Sequence, residues 1–225
     1  MIFLDFDGVL VDSNAETIKN FFYAIEANFK RPISNKDKKI IKDQILLVRG
    51  NIGPIRDFFL EYKRIIKDDH RLEDYDPKII DKKLNLLVKN FLKNRSQSKL
   101  KDLEAWESLH KPTKIVKTLQ KIPGKFILVS TKDEDSLLDL SNSLQIKPLS
   151  IYGKEAYEFH GSKKNIILKI IKEENYSKNI FIDDNEEHLF KAKNIHSFFA
   201  NWGYGYYKNF DQLDEPEAKQ IILSH

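Results

Sequence analysis

Met1-Ile2-Phe3-Leu4-Asp5-Phe6-Asp7-Gly8-Val9-Leu10-Val11-Asp12 is the stretch around which the rest of the chain is read. Its short apolar run, Ile2 to Leu4, predicts a buried strand. Residues two apart in a strand point to the same side, so Asp5 and Asp7 share a face and Phe6 takes the other. Gly8 lets the backbone turn or approach another group closely. Two like charges at the end of a buried strand raise each other's pKa unless a cation lies between them. A hard divalent cation resolves the conflict, and Mg²⁺ with carboxylate ligands fits best. An EF-hand loop also begins Asp-x-Asp, but the apolar Val9-Leu10-Val11 follows where its acidic ligands belong.

Outward from this stretch, the chain divides in character. Apolar residues at Ile18, Phe21, Phe22, Ile25 and Phe29 have helical spacing, and Pro32 closes that helix. Ser34 with Asp37 marks the start of a second helix carrying Ile40, Ile41, Ile45, Leu46 and Val48. After the loop Arg49–Pro54, a third helix is expected from Pro54 to Ile66. Asp69–Asp76 reads as a loop, and a fourth helix runs from Asp76-Pro77 to Phe91 or Leu92. Polar Asn94–Lys99 reads as a linker.

Beyond it, strands and helices alternate. Strands are expected at Phe126–Val129, Leu149–Tyr152, Ile180–Ile182 and Ser197–Ala200. Helices are expected at Pro112–Gln120, Asp133–Ser143, Ser162–Glu173 and Asn185–Asn194. Such alternation predicts an α/β fold, a Rossmann-like three-layer core with a parallel sheet. The expected domains are a core of residues 1–14 and 100–225 and an inserted all-α cap of 15–99.

Composition narrows the function. The chain has 225 residues, 41% hydrophobic and 12% aromatic, enough for a packed core. Without cysteine it can build neither a disulfide framework nor a thiolate site. A formal charge of +4, from 38 basic and 34 acidic residues, is spread along the chain, so no nucleic-acid stripe is expected. No signal-peptide pattern or membrane-length apolar run is read, which predicts a cytoplasmic protein without membrane partners.

In open α/β sheets ligands bind beyond the carboxyl ends of the strands. There the sequence places Asp5 and Asp7, then Ser130, Thr131 and Lys132, then Asp183, Asp184 and Asn185, with Gly161-Ser162-Lys163-Lys164 opening a helix. Carboxylates, a hydroxyl and a lysine on one edge suit phosphoryl transfer. Lys132 and Lys154 read more as solvated charges than as substrate contacts. His160 and His188 read as ordinary surface or interface histidines, with no third ligand at zinc spacing.

These positions resemble, in order, the four motifs of the haloacid dehalogenase-like (HAD) superfamily. The extension Gly8-Val9-Leu10-Val11-Asp12-Ser13 is similar to its capped phosphatases, of the phosphoglycolate phosphatase and beta-phosphoglucomutase kind. Ala200-Asn201-Trp202-Gly203-Tyr204-Gly205 also resembles a late stretch of those enzymes. The resemblance implies Asp5 as nucleophile and Asp7 as general acid and base. It implies Ser130, Thr131 and Lys163 on phosphate oxygens, with Lys164 as the alternative register. Mg²⁺ would be held by Asp5, the Asp7 carbonyl, Asp184 and Asp183. His188 departs from an acid that some relatives carry four residues after the fourth-motif aspartate.

The implied activity is Mg²⁺-dependent hydrolysis of a small phosphorylated metabolite by a monomer or homodimer, with selectivity in the loop Arg49-Gly50-Asn51. Phosphomutase or phosphotransferase chemistry on a sugar phosphate uses the same residues. A dehalogenase would lack Asp7 and the paired Asp183-Asp184, and a silent binding module would be expected to lose a motif residue.

Overall fold

The computed structural model describes residues 1–30, 32–68, 77–205 and 209–225, without the side chains of Asn51 and Pro77. It forms two compact units: Met1–Asp12 with Lys111–His225, and Ser13–His110.

The first unit is built on a six-stranded parallel sheet. Its strands are β1 (Ile2–Leu4), β4 (Phe126–Val129), β5 (Ser150–Tyr152), β6 (Ile180–Asp183), β7 (His196–Ala200) and β8 (Asp211–Leu213), in the order β5-β4-β1-β6-β7-β8. β1 is central because it is apolar throughout and buried on both faces. It pairs with β4 through Leu4 and Leu128, and with β6 through Leu4 and Ile182. The chain fills one side of β1 with β4 and β5, then crosses to build β6, β7 and β8 on the other. β1 therefore lies where the winding reverses, the usual site of the ligand crevice. One face is sealed by α9 (Lys163–Glu174), whose Ile166, Ile167, Ile170 and Ile171 pack on Phe3, Ile127, Val129 and Phe181.

A small antiparallel pair, β2 (Val11–Asp12) and β3 (Lys111–Pro112), joins the two places where the chain leaves and re-enters this unit. The sequence predicts a helix over Pro112–Gln120, but helix forms only at α6 (Val116–Leu119). Thr113 explains the difference: its backbone N–H donates to the Leu10 carbonyl and its hydroxyl to the Val9 carbonyl, holding the segment extended. The helix expected over Asn185–Asn194 is only one tight 3₁₀ turn, Glu186–His188. There the Asn185 side chain accepts from the Glu187 N–H, and buried Leu189 and Phe190 pull the following chain into the core.

The second unit contains α1 (Asn14–Phe29), α2 (Asn35–Leu47), α3 (Ile55–Asp68), α4 (Pro77–Lys101) and α5 (Leu103–Glu107). Apolar faces at helical spacing bury a shared core in which Phe21 stacks on Phe59 at 5.3 Å. The expected loop Asp69–Asp76 lies outside the described residues. The expected linker Asn94–Lys99 is instead helix, the last part of α4. Two of its residues serve a buried polar cluster, while Ser96 and Gln97 are exposed. Arg95 grips Glu16 through two hydrogen bonds of 2.7 and 3.0 Å, and Asn94 donates to Asn20 at 2.7 Å. No helix among the described residues is long and apolar enough to cross a membrane.

Candidate active site

The carboxyl ends of β1, β4 and β6 adjoin, so the residues after them meet. Asp5 continues β1, its backbone N–H donating to the Ile182 carbonyl at 3.0 Å. Its carboxylate is buried and faces Lys163, the first residue of α9, with Oδ1 2.8 Å from Nζ. Lys163 is placed by a left-handed Gly161 that ends α8 (Lys154–His160), and by Ser162, which accepts from the Asn165 N–H and so caps α9. The same ammonium donates to Asp183 Oδ2 at 2.7 Å. Lys164, by contrast, is exposed and lies over the Phe190 ring.

Charges this deeply buried perturb one another. Burial pushes the Asp5 carboxyl up, and the nearby Asp183 charge adds to that push against the opposing pull of Lys163. Burial alone would also raise Asp183, but Lys163 and His188 outweigh it and hold its pKa down to about 2. Burial works against the charge on Lys163, yet the two carboxylates raise its pKa above the ordinary lysine range. The remaining Asp183 oxygen accepts the Asn185 N–H at 2.8 Å.

Asp184 is held differently. Its carboxylate lies against the backbone at Gly8 and Gly203, where a Cβ on either glycine would overlap it. Gly8 adopts φ +85°, a conformation that also favours glycine, and the Gly8 N–H donates to the Val11 carbonyl. The Tyr204 N–H donates to Asp184 Oδ2 at 2.6 Å. The stretch Ala200–Gly205 thus serves the site by bringing bare backbone to Asp184. Trp202 and Tyr204 also tie it to the first loop, through the Val9 carbonyl and the Asp12 carboxylate.

Ser130 is buried directly after β4, its N–H donating to the Tyr152 carbonyl, and Thr131 beside it is half-buried. Two residues that read as solvated in the sequence are not. The Lys132 side chain is 1% exposed and its Nζ lies 3.3 Å from Asp7 Oδ2. Strand-like alternation from Ser130 is the signal that could place it in the site. His188 is half-buried with Nδ1 3.2 Å from Asp183 Oδ2, because the 3₁₀ turn folds it back over the end of β6. Lys154 is partly exposed beside Glu158, as expected.

Asp5, Asp183 and His188 present ligand atoms within 4.8 Å of one another. The Lys163 ammonium already bridges the two carboxylates of that trio, which makes it a poor cation cage. The wider donor set fits a divalent ion better. Asp5, Asp7, Asp183 and Asp184 carry four formal negative charges, while the buried Lys132 and Lys163 supply two positive ones. Oxygen donors in which acids outnumber lysines among the described residues suit a hard divalent cation.

No family model matches the chain. Among curated proteins it is 25% identical over 145 residues to fluconazole resistance protein 3 of Candida albicans, a match covering 60% of this chain and 36% of that protein. The chain thus matches about a third of that relative's length. Solved structures match throughout. A predicted phosphoglycolate phosphatase of Haemophilus somnus aligns with a TM-score of 0.70 and 13% identity, covering 100% of this chain and 97% of its own. A predicted phosphatase of Clostridium acetobutylicum gives 0.64 and 17%, over 100% and 98%. A haloacid dehalogenase-like family hydrolase of Streptococcus pneumoniae gives 0.64 and 19%, over 100% and 97%. At these identities the likeness is one of fold: the chain has the Rossmann-like α/β core with a helical insertion that haloacid dehalogenase-like hydrolases share.

Proposed function

We propose that the protein is a phosphatase of small phosphomonoesters, with Asp5 as the nucleophile. The observation that carries this reading is the placement of Asp5: a buried carboxylate at the end of the central strand, 2.8 Å from a buried ammonium that Asp183 holds in place. A carboxylate oxygen of Asp5 attacks phosphorus, the ester P–O bond breaks, and Asp7 gives its proton to the departing oxygen. Asp7 then takes a proton from water, whose oxygen attacks the aspartyl-phosphate and releases phosphate, restoring both carboxyl groups. Ser130, Thr131 and Lys163 hold the phosphoryl oxygens, and Lys163 opposes the upward push that burial gives the Asp5 carboxyl.

Asp5, the Asp7 carbonyl and Asp184 would hold Mg²⁺, with Asp183 positioning Lys163. When bound, the ion would neutralise phosphoryl charge and favour approach of the anionic nucleophile. The helical unit would serve as the cap that selects the substrate. The named structural neighbours support a phosphatase, and the charge balance of the four acids supports the divalent ion.

The test is phosphate release from sugar, nucleotide and small-acid phosphates, with Mg²⁺, with chelator, and with Asp5→Asn. Release that needs both the ion and Asp5 is expected. Release that persists in Asp5→Asn would place the nucleophile elsewhere.

A further inference from the structure

The sheet ends in two edges that differ in protection. At one, β8 carries Asp211 and Gln212, both exposed. Charged and polar residues on an edge discourage pairing with another strand. At the other, β5 reads Ser150-Ile151-Tyr152, with no charge in the strand, and no described strand pairs with its outer side. An open edge without charge is a template for one more strand.

The backbone fixes where that strand would pair. Successive residues of a strand turn their N–H and carbonyl groups to opposite sides. The Tyr152 carbonyl accepts from the Ser130 N–H, and the Lys154 N–H donates to the Lys132 carbonyl. Tyr152 and Lys154 therefore face β4, and Ile151 between Ser150 and Tyr152 faces the open edge with one donor and one acceptor. The next outward donor, the Gly153 N–H, is already taken by Glu134 at 3.1 Å. In an antiparallel pair, two residues directly opposite can exchange both bonds. A strand crossing antiparallel with its own Ile151 opposite satisfies both groups.

Charge chooses the partner. Exposed Lys125 and Lys147 stand at the amino ends of β4 and β5, tied together by the Gly124 N–H, which donates to the Lys147 carbonyl at 2.7 Å. At the carboxyl ends stand Asp135 and Glu155, both exposed, and Glu155 accepts from the Glu134 N–H. Lys154 lies at that end too, but beside Glu158 of its own helix. One end of the edge is thus basic and the other acidic. A second copy laid antiparallel sets each basic end against an acidic one, and Lys147 and Glu155 lie equally far from Ile151. A twofold interface requires such self-complementarity. A stable interface buries about 1,200–2,000 Å², more than so short a strand supplies. Leu149 and Leu138, the latter on α7 (Glu134–Ser143) packed beside β5, are 49% and 52% exposed and add apolar area.

We propose that a second copy of this chain docks on the β5 edge. The two strands pair antiparallel about Ile151, and the sheet runs unbroken through a twofold dimer. The inference is independent of the phosphatase reading.

The experiment is sedimentation equilibrium of the full chain at low salt, from low micromolar to near millimolar concentration, with amide exchange read at Ile151. A monomer–dimer equilibrium is expected, with Ile151 exchange slowing as the dimer fills. Ile151→Pro removes the outward N–H and should raise the dimer Kd at least about tenfold, because the twofold axis repeats the loss. Leu149→Lys changes an exposed side chain and should weaken the dimer as well, which keeps the test open if the proline variant fails to fold. Lys147→Glu should raise Kd about fivefold, and adding Glu155→Lys should recover most of it. A monomer at every concentration overturns the proposal and leaves the edge to an extended segment of another protein. A dimer that ignores Ile151→Pro and Leu149→Lys, with Ile151 exchange independent of concentration, uses another surface and overturns it too. Failure of the double charge reversal to recover affinity overturns the twofold at Ile151.

Discussion

The molecule buries ionised groups in two places, and the two are balanced differently. In the helical unit Glu16 lies in the first turn of α1 and Arg95 near the end of α4. The guanidinium holds both carboxylate oxygens, Asn20 donates to the same carboxylate, and Arg95 lies over the Phe91 ring at 4.9 Å. There a base grips an acid through two hydrogen bonds. At the end of the sheet four acids meet two lysines, and one of those ammonium groups lacks a hydrogen bond among the described residues. A closed pair orders a fold; an open cluster waits for a ligand. Burial alone does not separate structure from function, whereas charge balance and hydrogen-bond satisfaction do.

The widest separation between the two clusters should appear at their acids. Asp5→Asn should lower turnover by about 10⁴-fold or more, as loss of the proposed nucleophile would. In chelator it should nevertheless raise the melting temperature, because burial disfavours the Asp5 charge. Calorimetry with and without Mg²⁺ reads this, and a lower melting temperature in chelator would show that the Asp5 charge stabilises the fold.

Arg95→Met should act the opposite way. It leaves buried Glu16 without its guanidinium and should cost about 3–5 kcal/mol in urea unfolding. The double change Glu16→Leu with Arg95→Met should recover most of that, since a closed ion pair is replaced by packing. If the double variant is as unstable as the single one, the pair does more than satisfy itself.

A smaller effect distinguishes the clusters by pH. Asp183 has a folded pKa of about 2 against an ordinary 3.8, so folding favours its charged form. That stability is fully present above pH 3.8 and drains away as pH falls toward 2. Acid unfolding in chelator should steepen in this window for wild type, and Asp183→Asn should flatten it. The smallest expected change is at the edge of the helical unit. Ser34 caps α2 by accepting from the Asp37 N–H at 3.1 Å in an exposed setting. Ser34→Ala should cost about 1 kcal/mol or less in chemical denaturation and leave the site untouched.

Much of the fold is legible in the order of residues. An apolar triplet followed by Asp5 and Asp7 announces the central strand, and alternating elements after residue 112 announce a parallel sheet, because local periodicity follows directly from backbone geometry. Chain order also names Ser130, Lys163, Asp183 and Asp184, since each follows or opens an element at the same sheet edge. Polar residues are harder to read. Asn94 and Arg95 look like a linker because sequence shows their polarity but not Glu16, which lies 79 residues from Arg95. Lys132 and His188 look solvated for the same reason.

By itself, then, the sequence determined the type of most elements and the residues that end the strands. Only the tertiary structure decided which charges are neutralised and which are left open. It set Lys163 between Asp5 and Asp183, brought Gly8 and Gly203 against Asp184, and left Lys132 buried with donors to spare. The reason is physical: periodicity is a property of neighbouring residues, while the energy of a buried charge depends on everything packed around it.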